Sequence, residues 1–252
     1  MVSSQLLRQA LACLDLTNLN DDCTEDDVRA LCARARTDHG SVAAVCVWPR
    51  FVALAQSCLA GTPVRIATVV AFPTGMANDD ELRQLVATAR ADGADEIDVV
   101  IPYQDIIAGT QDTTRDRVAL CVAAGEGAAV KAILETGALN PAQIAAASQA
   151  ALEGGAAFLK TSTGKIATGA TPDAARIMLQ EILRVQSDAG LKPSGGIATP
   201  EDAANYIRLC EEMMGPNWVQ PTRFRIGASS LLARLIAALE GAEPAPGDAS
   251  GY

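Results

Sequence analysis

Apolar positions along the chain fall into short runs, each followed by a longer stretch in which they recur at helical spacing. The runs are CLDLT (13–17), VAAVCVW (42–48), RIATVVAF (65–72), EIDVVIP (96–102), AVKAILET (129–136), AAFLKT (156–161), GLKPS (190–194) and FRIGA (224–228). Their lengths, flanking turn residues and aliphatic content predict eight strands. They begin about 30 residues apart, the size of one βα unit. Between them lie helical patterns such as DDELRQLVATARADG and ATPDAARIMLQEILRVQSDAG. The second opens with Thr171 as N-cap, Pro172 at the first helical position and Asp173 in the first turn, and Thr199, Pro200 and Glu201 repeat that opening. The start, MVSSQLLRQALACLD, predicts a short N-terminal helix.

Eight such units without a composition break before residue 240 predict an α/β fold, a single-domain (β/α)8 TIM barrel over 1–240. The Pro/Gly/Ala-rich segment 241–252 is expected to be a flexible C-terminal tail. An open doubly wound sheet is the alternative, but no G-x-G-x-x-G follows the first strand.

Composition narrows the function. With 49% hydrophobic but only 4% aromatic residues, the core is aliphatic, as parallel sheets require. A net charge of −10 argues against nucleic acid as a partner, so any anionic ligand must be held by a local site. No apolar stretch approaches the roughly 18–20 residues of a membrane span. The seven cysteines are scattered, with no C-x-x-C, which together with the helical N-terminus predicts reduced thiols and a cytoplasmic protein. His39 is the one histidine and lies in the turn-like TDHGS, so neither a histidine triad nor a histidine-rich metal site is expected.

The lysines carry the strongest chemical signal. There are four, Lys131, Lys160, Lys165 and Lys192, against sixteen arginines, and all four lie in or just after apolar runs. A buried lysine shifts its pKa and can attack a carbonyl; a guanidinium cannot. By strand alternation Lys160 shares a face with Phe158, and Asp98 shares one with Glu96 and Val100. If the intervening apolar residues face the helices, Asp98, Lys160 and Lys192 all point into the barrel at its C-terminal end. Two readings follow. One is a tuned site in which neutral Lys160 is a nucleophile and Asp98 moves protons; the other is a buried ion pair that only holds the barrel together. Lys131 and Glu96, earlier in their strands, are expected to pair below that site.

The turns STGK (162–165), SGG (194–196) and GASS (227–230) follow the sixth, seventh and eighth strands, where barrels often hold phosphate. Lys165 would supply the cation; ordinary turn chemistry is the competing explanation. Cys46 is either a small buried hydrophobe or a neighbour of the substrate. Asp15 and Thr17 either bond a substrate hydroxyl or shape the end of the first strand. Phe72 and Pro73 are read as the wall of a pocket.

The segments CLDLTNLN, VCVWPRF, RIATVVAFPTG, ADEIDVVIPY, FLKTSTGK, KPSGGI and RFRIGASSLL resemble the deoxyribose-phosphate aldolase family, from about Leu14 to Leu232. FLKTSTGK together with KPSGG is the most specific part. The resemblance implies a class I, metal-free aldolase without a cofactor. It would cleave 2-deoxy-D-ribose 5-phosphate, a small-molecule substrate, reversibly to D-glyceraldehyde 3-phosphate and acetaldehyde in deoxyribonucleotide catabolism; a homodimer is expected separately, from the general prevalence of two-fold symmetric pairs. The resemblance also implies that Lys160 is the Schiff-base lysine, Lys192 the second lysine that depresses its pKa, and Asp98 the proton-relay acid. Asp15 and Thr17 would face the substrate hydroxyl and a relay water, with Cys46, Phe72 and Thr161 lining the substrate. Gly164, Lys165, Gly195, Gly196, Ser229 and Ser230 match the phosphate turns, and Tyr252 matches a C-terminal tyrosine that some members fold over the site. Where some relatives carry an arginine after the seventh-strand glycines, this chain has Ala198. A weaker dependence on substrate phosphate is expected from that departure.

Overall fold

The computed structural model describes residues 2–242; the segment 243–252, including Tyr252, lies outside the described residues. Eight parallel strands form one sheet: β1 (Leu14–Asn18), β2 (Ala44–Val47), β3 (Arg65–Val70), β4 (Glu96–Val100), β5 (Ala129–Ile133), β6 (Phe158–Lys160), β7 (Gly190–Lys192) and β8 (Ile226–Ala228). Neighbours in sequence are neighbours in space from β1 to β7, and β8 pairs with β1. The remaining seam closes through two parallel bridges, Leu191 with Phe224 and Ser194 with Gly227. The barrel predicted from the apolar spacing is therefore present, as one domain.

The last three strands are shorter than their apolar runs. After Lys160 and Lys192 the backbone leaves the ladder for turns with positive φ, at Gly164 (80°), Gly195 (84°) and Gly196 (81°). The Ser194 N–H there donates to the Thr161 hydroxyl at 3.0 Å instead of to a strand carbonyl. TDHGS differs too: it turns a small antiparallel hairpin that pairs Arg36–Thr37 with Gly40–Ser41.

The helices are α1 (Ser4–Ala12), α2 (Glu25–Arg34), α3 (Val52–Leu59), α4 (Asp79–Ala91), α5 (Tyr103–Ile107), α6 (Asp112–Ala124), α7 (Pro141–Glu153), α8 (Pro172–Arg184), α9 (Pro200–Met214) and α10 (Leu231–Glu240). Their starts are set locally. Thr171 caps α8 by accepting from Ala174 N–H, and Thr199 and Asp202 form a capping box at α9. Each such cap contributes about 1 kcal/mol. None of the helices is long and apolar enough to cross a membrane, among the described residues.

Strand alternation divides the residues as the pattern requires. Leu14, Leu16, Val45, Ile97, Val99, Leu159 and Leu191 face outward into the main core beneath the helices. The interior is asymmetric. On β2 and β3 it is apolar, with Ala44, Cys46, Ala67 and Val69 packed with Leu19 as a separate cluster. Around the rest of the barrel it is charged.

Candidate active site

Seven ionisable side chains fill the charged part of the interior, and all are at most 3% exposed: Asp15, Glu96, Asp98, Lys131, Lys160, Lys192 and Arg225. The register puts them in reach of one another. Lys160 and Lys192 are cross-strand partners, as are Asp98 and Lys131, and Asp15 is opposite Gly227. Two glycines make the room. A Cβ on Gly227 would lie 3.2 Å from Lys192 Cε, and one on Gly190 would run into the Phe158 ring.

Six of the seven form a closed ring of alternating charge. Lys192 Nζ is 2.7 Å from Asp98 Oδ2; Asp98 Oδ1 is 2.9 Å from Lys131 Nζ; Lys131 Nζ is 2.6 Å from Glu96 Oε2. Glu96 Oε1 is 2.6 Å from Arg225 Nη2, Arg225 Nη1 is 2.7 Å from Asp15 Oδ1, and Asp15 Oδ2 returns to Lys192 Nζ at 2.6 Å. Three cations match three carboxylates. Lys160 is the seventh member. Its Nζ lies 2.8 Å from Asp98 Oδ2, an oxygen already held by Lys192. A proton on Lys160 is therefore a fourth positive charge against three negative ones.

The electrostatics follow that count. Burial lowers the Lys160 ammonium below its ordinary range; Asp98 pulls it back and Lys192 pushes it down again. Lys192 is equally buried, but Asp15 and then Asp98 outweigh burial and hold it well above the usual lysine value. Lys131 is raised in the same way, with burial opposed by Asp98 and Glu96. Burial works against Asp98 as a carboxylate, yet Lys131, Lys160 and Lys192 together hold its pKa well below normal. Of the three lysines, Lys160 is the one that the fold pushes toward a free amine.

At the mouth, three loops converge. Gly195 Cα packs against Gly169 and Gly164, so a Cβ there would come within 3.1 Å of one and 3.5 Å of the other. Thr161 donates its hydroxyl to Ser194 O at 3.1 Å, and the Ser194 hydroxyl donates to Ser162 O at 2.5 Å. Ser230 is the N-cap of α10 and makes no capping bond with its side chain. Lys165 Nζ donates to Leu19 O at 2.9 Å and lies 3.5 Å from Asp21 Oδ1.

A model of the DeoC/LacD aldolase family matches residues 9–234. Over 248 residues, 96% of this chain and 94% of the relative, the sequence is 48% identical to deoxyribose-phosphate aldolase of Agrobacterium fabrum. The chain belongs to the DeoC/LacD aldolase family. Among solved structures, one from Toxoplasma gondii, provisionally named a deoxyribose-phosphate aldolase, superposes with a TM-score of 0.86 at 26% identity, covering 95% of this chain and 98% of that one. A deoxyribose phosphate aldolase from Aeropyrum pernix, described as having a unique tetrameric structure, shares the fold at a TM-score of 0.74 and 24% identity, covering 94% and 98%.

In this aldolase, then, the structure brings Asp15, Asp98, Lys160 and Lys192 together, with Cys46 on the adjoining apolar wall, where burial raises its thiol pKa. Thr17 donates its hydroxyl to Asp15 O at 2.8 Å. Phe72 packs edge-on against Trp48 with ring centroids 5.5 Å apart, against the apolar cluster that holds Cys46. Lys131 pairs with Glu96 as expected, but it also holds Asp98, so it belongs to the same network and is not separate from it.

Sequence reasoning missed two residues of this aldolase, Arg225 and Arg234, and gave Glu135, which it places among the polar residues at the strand ends, no role. Arg225 was hidden among sixteen arginines read as surface charge. Its signal was available: two residues before inward-facing Gly227, it falls on the inner face of its strand. Glu135, with φ 55°, is buried after β5 and accepts from the Thr163 hydroxyl and N–H. Arg234 reaches from α10 to donate to Ala198 O at 3.1 Å, bringing a guanidinium to the loop that lacks one of its own.

Proposed function

We propose that this protein is a class I, metal-independent aldolase that cleaves 2-deoxy-D-ribose 5-phosphate to D-glyceraldehyde 3-phosphate and acetaldehyde, reversibly, through a Schiff base on Lys160. The observation that carries the reading is the charge count: among the described residues of the barrel interior, Lys160 is the one cation without a carboxylate of its own. Such an amine is neutral more readily than any other lysine in the barrel, and a neutral amine is what attacks an aldehyde.

The chemistry follows from the positions. Lys160 Nζ adds to C1 of the open-chain sugar, and loss of water gives an iminium. The C3 hydroxyl gives up its proton and the C2–C3 electron pair flows into the iminium, releasing D-glyceraldehyde 3-phosphate and leaving an enamine. Protonation at C2 and hydrolysis return acetaldehyde and the free amine. Asp98 is the relay for these protons, working through water. While Lys160 is charged, Asp98 is too tightly held to be a useful base. Once the nitrogen is neutral, as the free amine before attack and again in the enamine, one cation leaves Asp98 Oδ2 and its basicity rises. Lys192 stays an ammonium throughout and keeps Lys160 from being reprotonated. Asp15 anchors Lys192, and Thr17 braces the Asp15 backbone.

Reduction with borohydride in the presence of acetaldehyde, followed by peptide mass mapping, is expected to place the adduct on Lys160. An adduct on Lys192 or Lys165 would reverse the assigned roles, and none on any lysine of folded protein would remove the Schiff-base mechanism.

The phosphate belongs in the turns of Gly164, Gly195, Gly196, Ser229 and Ser230, with Lys165 and Arg234 as flanking cations. Arg234→Ala is expected to lower kcat/KM for the 5-phosphate roughly tenfold, as loss of a charged hydrogen bond does, and to leave unphosphorylated 2-deoxyribose unaffected. Equal losses on both substrates would place Arg234 outside the phosphate turns. Because Ala198 supplies no cation of its own, the preference for the ester is expected to be weaker than in a relative with arginine there. We place the enzyme in deoxyribonucleotide catabolism in the cytoplasm, as a homodimer, which sedimentation equilibrium tests directly.

A further inference from the structure

We propose that Glu96 and Arg225, neither of which touches Lys160, are positioning residues that set the protonation state of Lys160 by fixing the charge parity of the ring. Its functional meaning rests on Lys160 being the reacting amine; the geometry beneath it does not.

The two residues lie at the far end of the barrel from the mouth. Both line a cleft of about 580 Å³ between the N-terminal ends of the strands, alongside Arg65, Phe158, Asp188 and Thr222. They pair with each other through both Glu96 oxygens, at 2.6 and 3.0 Å. From there each reaches one way around the ring, Glu96 to Lys131 and Arg225 to Asp15. Those two neighbours hold Asp98 and Lys192, the groups that contact or flank Lys160. The pair therefore closes the circuit at the end of the barrel opposite the mouth.

Closure makes the circuit neutral without Lys160. The other groups facing Lys160 lie outside this circuit. Cys46 on β2 is a buried thiol kept neutral by its surroundings. Glu135, after β5, accepts from Thr163 with both oxygens and feels the Lys160 charge without pairing with it. Arg65 on β3 approaches Glu96 only at 3.9 Å and is 58% exposed, so solvent screens it. In a water-poor interior, a unit change of charge anywhere on the ring is felt by every member. The design predicts opposite effects from two residues that form one salt bridge. Removing the Glu96 charge leaves the ring one positive charge in excess and makes the Lys160 ammonium harder to form. Removing the Arg225 charge leaves it one short, a deficit that the Lys160 proton fills.

The test reads the Lys160 amine directly, without needing an imine. Full-length protein is trace-labelled with acetic anhydride across a pH series, and the Lys160 peptide is quantified by mass spectrometry. Glu96→Gln is expected to move the labelling midpoint down, and Arg225→Met up, each by about half a pH unit or more. The double variant Glu96→Gln/Arg225→Met restores parity and returns the midpoint toward wild type. Arg225→Lys, which keeps the charge but loses the two-pronged contact, leaves it in place. A purely structural role would lower stability in all of these without opposite shifts. Shifts in one direction, or a double variant that adds rather than cancels, overturn the proposal. So does an unmoved midpoint in Glu96→Gln, whichever of the other variants fold. Failure of the Schiff-base reading would appear separately, as a missing borohydride adduct in wild-type protein.

Discussion

Replacing Lys160 with methionine is expected to abolish aldol cleavage and to make the protein more stable. The loss of activity, roughly 10⁴-fold or more, follows from removing the proposed covalent nucleophile, for which no other group substitutes. The gain in stability follows from the charge count, since the ring of Asp15, Glu96, Asp98, Lys131, Lys192 and Arg225 balances without Lys160. A lysine whose pKa is lowered on folding binds fewer protons in the folded than in the unfolded state. It costs stability in full below its folded pKa, and the cost fades as pH rises toward the ordinary lysine value. Methionine fills similar volume and removes that cost, so thermal unfolding is expected to shift upward at neutral pH, by about 1–3 kcal/mol. The gain over wild type should shrink as pH rises toward the ordinary lysine range. Calorimetry of the two proteins from neutral to alkaline pH checks both statements. A destabilised Lys160→Met variant would mean that Lys160 is a structural cation and that the ring is not complete without it.

The separation of the proposed reacting lysine from its buried neighbours was only partly visible in the sequence. Alternation in EIDVV and AFLKT correctly placed Asp98 and Lys160 inside the barrel, because a strand's period of two leaves no freedom once its apolar face is fixed. The eight apolar runs likewise fixed the strands, and Thr171 and Thr199 fixed two helix starts, since these signals are local. What the pattern could not deliver was pairing across the barrel. Arg225 lies 129 residues from Glu96 and 210 from Asp15 in the chain. Nothing local distinguishes it from an arginine on the surface. Lys131 was read as lying below the site, when its amine bridges Glu96 and Asp98. The neutrality of the ring is a property of closure, and closure appears only when the first and last strands meet.

The counterpart to Lys160 is Lys131, and its replacement by methionine is expected to act in the opposite sense. Lys131 Nζ is fully buried, 2.6 Å from Glu96 and 2.9 Å from Asp98. Removing it leaves two buried carboxylates short of a partner, a change that typically costs about 3–5 kcal/mol. Such a loss is a large fraction of the stability of a typical domain. The sign of the pH dependence follows from the shifts. Asp98 has its pKa depressed in the fold, so its contribution is present above the ordinary carboxylate range and lost as pH falls through the folded value. Lys131 is raised, so its own contribution persists until pH climbs past the ordinary lysine value. The gap between wild type and Lys131→Met should therefore be widest at neutral pH and narrow in acid, where protonated carboxyls no longer need a cation. Denaturant unfolding of both proteins from neutral to acid pH measures it. A gap that stays constant with pH would attribute the loss to packing around the Phe158 ring, 5.9 Å from Lys131 Nζ, in place of charge. Two lysines bound to the same aspartate would then still differ in function, but not for the electrostatic reason given by the ring.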